Sequence, residues 1–354
     1  MAFLKRSAVW ILWGALLGPQ ALHSQPWVIA HRGASGELPE HTLESFKRAI
    51  EQGAHWIEPD LVITQDGVLI ARHENELSNS TNVADVFPNR KTKKNIDGQM
   101  VEGWFSEDFT WAEIQRLRAR QTFLFRDQSF NDQYKIPRLE QVLDLIVQSP
   151  RKLGVYPETK HSSYFRSLDL GLEERLIQVL REKGFEKFPH RVLIQSFEVE
   201  NLKWLKRNSP YSLIQLVGEP DDRPFDRPDL TYARMLTDSG LREIQNYARG
   251  IGAYKFLICR RNFWGDLSAQ FGWHLRDNQI RRNCSRLVEM ARSSGLLVHA
   301  WTFRSDPGRL PLDYGVDPLL EYERFFKEGV DAVFSDYPQH ALQALKKYQR
   351  EGER

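Results

Sequence analysis

Cysteine is nearly absent from this chain: Cys259 and Cys284 are the only two in 354 residues. Two cysteines exclude a scaffold framed by disulfides, and they suit equally one bridge in an oxidising compartment or two separate buried thiols. Low-complexity segments and internal repeats are absent too, which excludes solenoids and extended disordered arms. Long apolar runs are missing with one exception, Ala8 to Leu17. Lys5 and Arg6 precede that run, and Gly18, Pro19 and small residues follow it. This is the layout of a signal peptide over residues 1–24, cleaved near Ser24 and too short to span a bilayer comfortably. No cysteine stands near that point, so a lipid anchor would have no attachment residue. The expected mature chain, 25–354, therefore carries no membrane span and is periplasmic or secreted. The last absence is a charge excess. Without Lys5 and Arg6 the 49 basic residues become 47, matching the 47 acidic ones. A neutral mature chain gives no electrostatic case for nucleic acid or for an acidic membrane surface.

What is present is concentrated between Val28 and Glu74. Apolar runs of strand type lead into His31, Glu58 and the Arg72-His73 pair. Residues two apart in a strand point the same way, so Glu58 and Asp60 present both carboxylates to one side. Pro59 between them donates no hydrogen bond and demands an unusual local pairing. Thr42 or Glu44 opens an amphipathic helix that Gly53 stops, and Asp66-Gly67 marks a hairpin after the second strand.

Farther on, strand and helix patterns alternate. Strands are expected at Trp27–Ala30, Trp56–Val62, Gly154–Glu158, Val192–Ser196, Ser212–Val217, Gly252–Ile258, Leu297–Thr302 and Ala332–Ser335. Helices between them include Leu172–Glu182, Glu198–Asn208, Gly240–Tyr247, Asn278–Ser293 and Pro318–Glu328. This alternation predicts an α/β (β/α)₈ TIM barrel, its site at the C-terminal ends of the strands. Residues 78–137 break the pattern with Pro88, the basic run Arg90–Lys94 and Asp97-Gly98. They read as an insertion after the second strand, with a capping box at Thr110 and Glu113 opening a helix to about Arg120. Its aromatics Trp104, Phe105, Phe109 and Trp111 either flank the barrel mouth or fill a small core of their own.

Oxygen ligands from neighbouring strands, Glu58, Asp60 and Glu158, with no thiolate, suit a hard divalent cation, Ca²⁺ or Mg²⁺. His31 and His73 can move protons near neutral pH. Arg32, beside His31, and Lys160, two residues after Glu158, are candidates to hold a phosphate. Trp301 is a candidate apolar wall, with Phe303 beyond it. Of the other histidines, His299 lies on a strand that reaches the rim, while His41, His55, His161, His190, His274 and His340 are read as structural.

The stretches HRGASGELPEHTLESF, GAHWIEPDLVITQDGVLIARHE and VYPETK together resemble the glycerophosphodiester phosphodiesterases, in particular the exported bacterial kind. IPRLEQVL, IQSFE, VHAWTFRSD and GVDAVFSDYP look like further strands and helices of that family. The resemblance implies that Glu58, Asp60 and Glu158 are metal ligands and that His31 and His73 are the acid–base pair. It implies an enzyme that hydrolyses a small-molecule glycerophosphodiester substrate to glycerol 3-phosphate and an alcohol. Hydrolysis of larger glycerophosphate polymers or lysophospholipids, or a catalytically silent surface-binding barrel, are the alternatives. His41 departs from the pattern, since many members carry asparagine there. The sequence marks no aromatic cluster as an ammonium cage, so head groups are expected to be tolerated broadly. The loop Arg260–Arg276 has no role readable from its residues.

Overall fold

A computed structural model describes residues 25–260, 284–311 and 314–352. The expected signal peptide, and the Arg260–Arg276 loop apart from Arg260, lie outside them. The strands are β1 (Trp27–His31), β2 (Trp56–Glu58), β3 (Asp60–Ile63), β4 (Leu69–Ala71), β5 (Thr92–Ile96), β6 (Gln99–Gly103) and β7 (Gly154–Val155). They continue with β8 (Glu158–Thr159), β9 (Leu193–Ser196), β10 (Ser212–Val217), β11 (Gly250–Tyr254), β12 (Leu297–Phe303) and β13 (Ala332–Ser335).

Proline explains why two barrel strands come in halves. Pro59 separates β2 from β3, and Tyr156-Pro157 separates β7 from β8. The ladder carries on across both gaps, because the Glu158 N–H donates to the Pro59 carbonyl and the Gln195 N–H to the Pro157 carbonyl, each at 3.0 Å. With each split strand counted once, eight parallel strands pair in chain order and β13 returns to β1. This is the (β/α)₈ barrel, with β4 added antiparallel to β3 through the Asp66-Gly67 turn.

Alternation along each strand divides the molecule into two apolar regions. Val28, Ala30, Ile57 and Val155 face outward and pack with the helices in one continuous core. Ile29, Trp56, Tyr156, Leu193, Ile214 and Ala332 face inward and fill the barrel. Gly154 is needed beside Trp56, since a Cβ there would come within 2.1 Å of the indole ring. The first helix, Leu43–Gln52, is capped by Thr42 and stopped by Gly53 at φ 109°, as its sequence predicts.

Four boundaries differ from the sequence expectation. The helix expected over Asn278–Ser293 runs, among the described residues, from Leu287 to Ser293. The sixth barrel strand runs Gly250–Tyr254, and Lys255–Ile258 is a helical turn; its apolar run carries no period that separates the two. The basic run before Asp97-Gly98 is strand β5, paired antiparallel with β6. Asp97 and Gly98 at φ 48° and 84° make its two-residue turn. The helix after Thr110 has the expected capping box but ends at Ile114. The insertion is clamped to the barrel. Phe109 is fully buried in the main core, its carbonyl accepts from the Gln65 N–H, and the Ser106 hydroxyl donates to the Ile63 carbonyl. Cys259 and Cys284 form a disulfide.

Candidate active site

Inward-facing alternation also positions the site. Two residues beyond Ile29, Trp56, Tyr156, Leu193, Ile214, His299 and Ala332 stand His31, Glu58, Glu158, Gln195, Leu216, Trp301 and Phe334. All seven line one cavity of about 250 Å³ at the barrel mouth. Arg32, His73, Lys160 and Arg304 complete its polar wall.

Asp60 sits behind that wall beside Glu58 and Glu158. The three offer carboxylate oxygens within 4.8 Å of one another, and all three are buried. Burial, then the neighbouring carboxylates Asp60 and Glu158, push Glu58 well above the usual carboxylate range. Burial pushes Glu158 up to about 8, despite Lys160 Nζ at 2.9 Å. Asp60 goes the other way: burial opposes its charge, but Arg32 and His41 hold it well below the usual range. Arg32 Nε lies 3.2 Å and His41 Nε2 2.9 Å from the same Asp60 oxygen. Three buried carboxylates so close do not all carry charge without a further cation. The donor set therefore fits a hard divalent ion.

Each imidazole is fixed through Nδ1 by a carboxylate. His31 Nδ1 is 2.6 Å from Asp336 Oδ1, and His73 Nδ1 is 2.8 Å from Glu74 Oε1. Lys160 is a donor only, and its ammonium lies 3.3 Å from His73 Nε2. His73 is thereby the tautomer that carries its proton on Nδ1. Burial, then Arg32, lowers the His31 pKa to about 4. His73 shifts the same way, by burial, then Arg32 and Lys160, softened because 34% of its side chain is exposed. Burial thus disfavours the charged form of both imidazoles, and the carboxylate on each Nδ1 partly offsets it.

The supporting carboxylates are anchored in turn by the insertion. Arg126 donates to Asp336 at 2.5 Å and to Asp306 at 2.7 Å. Glu74 accepts from His161 at 2.9 Å, and His161 is held on its other nitrogen by Asp97 at 2.6 Å, in the hairpin turn. Burial opposes charge on His161, but the hydrogen bonds to Asp97 and Glu74 outweigh it and lift the pKa to about 9.

All eight residues singled out in the sequence thus meet in one place. Arg32 is more committed than its position suggests. At φ 60° it turns back, and it pairs with Glu40 at 3.0 Å as well as with Asp60. Phe303 is not a wall of the site. The pairing register shifts between Ala300 and Phe303, and Phe303 stacks on Tyr322 in the outer core. His299 faces the barrel interior, with its Nδ1 2.8 Å from the Tyr156 hydroxyl. His41 and His161, read as structural, each touch a carboxylate of the site. Asp336, Glu74, Gln195, Arg126 and Arg304 are not apparent from sequence patterning. For Asp336 a signal exists: it follows the eighth strand, and barrel closure sets that strand against the one ending in His31.

Comparison with known proteins agrees with this geometry. The model of the glycerophosphoryl diester phosphodiesterase family matches residues 31–340. Glycerophosphodiester phosphodiesterase GDPD6 of Arabidopsis thaliana is 32% identical, covering 91% of this chain and 87% of its own. A glycerophosphodiester phosphodiesterase of Haemophilus influenzae is 28% identical, covering 92% and 91%. Among solved structures, a glycerophosphoryl diester phosphodiesterase from Silicibacter pomeroyi superposes with a TM-score of 0.64 at 22% identity, covering 92% of this chain and 95% of its own. A phosphodiesterase from Oleispira antarctica, in complex with the product sn-glycerol-3-phosphate, superposes with a TM-score of 0.58 at 22% identity, covering 91% and 97%. With a family model matching nearly the whole barrel and a relative above 30% identity, this chain belongs to the glycerophosphoryl diester phosphodiesterase family.

Proposed function

We propose that this protein hydrolyses glycerophosphodiesters to glycerol 3-phosphate and an alcohol, with a divalent cation, Ca²⁺ or Mg²⁺, held by Glu58, Asp60 and Glu158. The observation that carries this reading is three buried carboxylates beside two carboxylate-anchored imidazoles in one cavity. When bound, the cation polarises the phosphoryl oxygens and absorbs developing negative charge. Lys160 and Arg304 add fixed positive charge at the cavity wall, where it counts most in the transition state. Arg32 acts chiefly by holding Asp60 ionised. One histidine, neutral at Nε2, removes the proton of the nucleophile; the other enters as the imidazolium, its Nδ1–H held by a carboxylate, and gives its Nε2 proton to the departing alkoxide. Trp301, fixed by its indole N–H on the Gly252 carbonyl at 2.8 Å, gives the glycerol carbons an apolar face.

Export is part of the proposal. The basic-then-apolar layout of residues 5–17 supports it, as does the Cys259–Cys284 bridge, because disulfides persist in oxidising compartments. Among the described residues no helix is long and apolar enough to cross a membrane.

The test is identification of products. Incubation with glycerophosphoethanolamine and the cation should release glycerol 3-phosphate and ethanolamine in equal amounts. A substrate lacking the glycerol 2-hydroxyl should be much poorer if that hydroxyl is the attacking group, and comparable if water attacks. Release of glycerol and phosphoethanolamine instead would refute the reading.

A further inference from the structure

Beside the catalytic cavity lies a second, wider one of about 570 Å³, and the two share Phe197 and Trp301 as a common wall. Its other side is formed by Tyr232 and Tyr254, with Glu219 and Asp222 at the rim. The aromatics come from four separate places in the chain, which is why the sequence shows no cluster. They meet because β9, β10, β11 and β12 are neighbours in the barrel. Phe197 follows β9, and its ring centroid lies 5.7 Å from Trp301 and 6.3 Å from Tyr232. Tyr254 ends β11, 5.1 Å from Trp301.

We infer that this cavity is the subsite for the departing alcohol and that it selects head groups bearing a positive charge, quaternary ammonium above all. The inference rests on the phosphodiesterase reading and extends it to substrate class. Its location is the first argument. Phe197 and Trp301 separate the two cavities, so with the glycerol carbons on the catalytic-cavity face of Trp301 the second cavity is the adjoining space for the alcohol. Its chemistry is the second. The faces of Trp, Tyr and Phe rings attract cations, and an ammonium that carries methyl groups gives up little hydration on reaching them. The rim charge is the third. Neither Glu219 nor Asp222 makes an ion pair or a side-chain hydrogen bond among the described residues, so both carboxylates remain available. Among the described residues two cations stand near this wall, and both are engaged: Arg223 donates to the Pro228 carbonyl, and Lys160, 5.9 Å from the Phe197 ring centroid, is paired with Glu158. This side of the active site thus sets two carboxylates without side-chain partners among the described residues beside four π faces.

The experiment compares kcat/KM of the cation-loaded enzyme for three substrates at one fixed ionic strength. They are glycerophosphocholine, its uncharged 3,3-dimethylbutyl isostere and glycerophosphoglycerol. The choline ester should exceed both others by about tenfold, within the range of one desolvated cation–π site. The isostere matches choline in shape and so separates charge from fit. In the E219Q/D222N variant the choline-to-isostere ratio should fall to about threefold or less. Equal kcat/KM for choline ester and isostere, or an unchanged ratio in the variant, would overturn the subsite while leaving the phosphodiesterase reading intact. Hydrolysis of none of the three would overturn both.

Discussion

The two histidines depend on a short list of neighbours, and these give the sharpest expectations. His31→Ala and His73→Ala should each lower kcat by roughly 10²–10⁴-fold, the usual contribution of a positioned proton donor or acceptor. Metal binding, read by calorimetry, should survive in both, because neither is among the three carboxylates. The double variant should lose far less than the product of the two single losses, since both act on one step. Near wild-type kcat in either single variant would remove it from the mechanism. Asp336 acts one bond farther away. It holds His31 Nδ1, so Asp336→Asn should let the ring turn or take the wrong tautomer. Steady-state kinetics should show kcat falling roughly 10²-fold with KM little changed. A purely structural role would instead lower the melting temperature and leave kcat of the folded fraction intact.

Among the secondary-structure elements, legibility followed the strength of the local signal. The helix Leu172–Glu182 lies where its apolar spacing puts it, and the first helix keeps its Thr42 and Gly53 caps. Most barrel strands agree with their apolar runs to within a residue or two. The insertion was legible only as an interruption, because its hairpin is polar and exposed along Thr92–Gly103 and carries no alternation to read. Asp97-Gly98, read as loop material, is the turn of that hairpin. Most of the candidate site residues were readable because they fall at strand ends between Val28 and Glu74, whereas some of their supports lie far off in the chain. Arg126 and Asp336 lie 210 residues apart, a pairing only the closed barrel creates. The disulfide was open in the sequence and closed in the fold, with 25 residues of separation. A loop of that length should contribute about 3 kcal/mol through the unfolded state. The Cys259→Ser/Cys284→Ser variant should therefore unfold at lower denaturant, while kcat of the folded protein stays near wild type. An unchanged denaturation midpoint would contradict this.

Over the molecule as a whole, buried imidazoles make stability depend on pH in two directions. Burial lowers the pKa of His299 to about 3, so between about 6.5 and 3 the unfolded chain binds a proton that the folded chain refuses. Stability should fall as pH drops through that window, by up to about 1.4 kcal/mol per unit. His161 has the opposite sign. Its raised pKa, about 9, gives stability that is complete below about 6.5 and lost as pH rises through 9. Melting temperature followed against pH should be steeper on the acid side for wild type than for His299→Gln; parallel acid limbs would rule out the His299 contribution. The same low-dielectric interior that neutralises imidazoles crowds Glu58, Asp60 and Glu158 into one buried cluster, and that cluster is the heart of the account. It is tested most directly by assaying glycerol 3-phosphate release from glycerophosphocholine and glycerophosphoethanolamine after the protein is stripped with a chelator. Release should cease in the stripped protein and return when Ca²⁺ or Mg²⁺ is added, with one ion bound per chain. Full turnover in a rigorously metal-free preparation would contradict it.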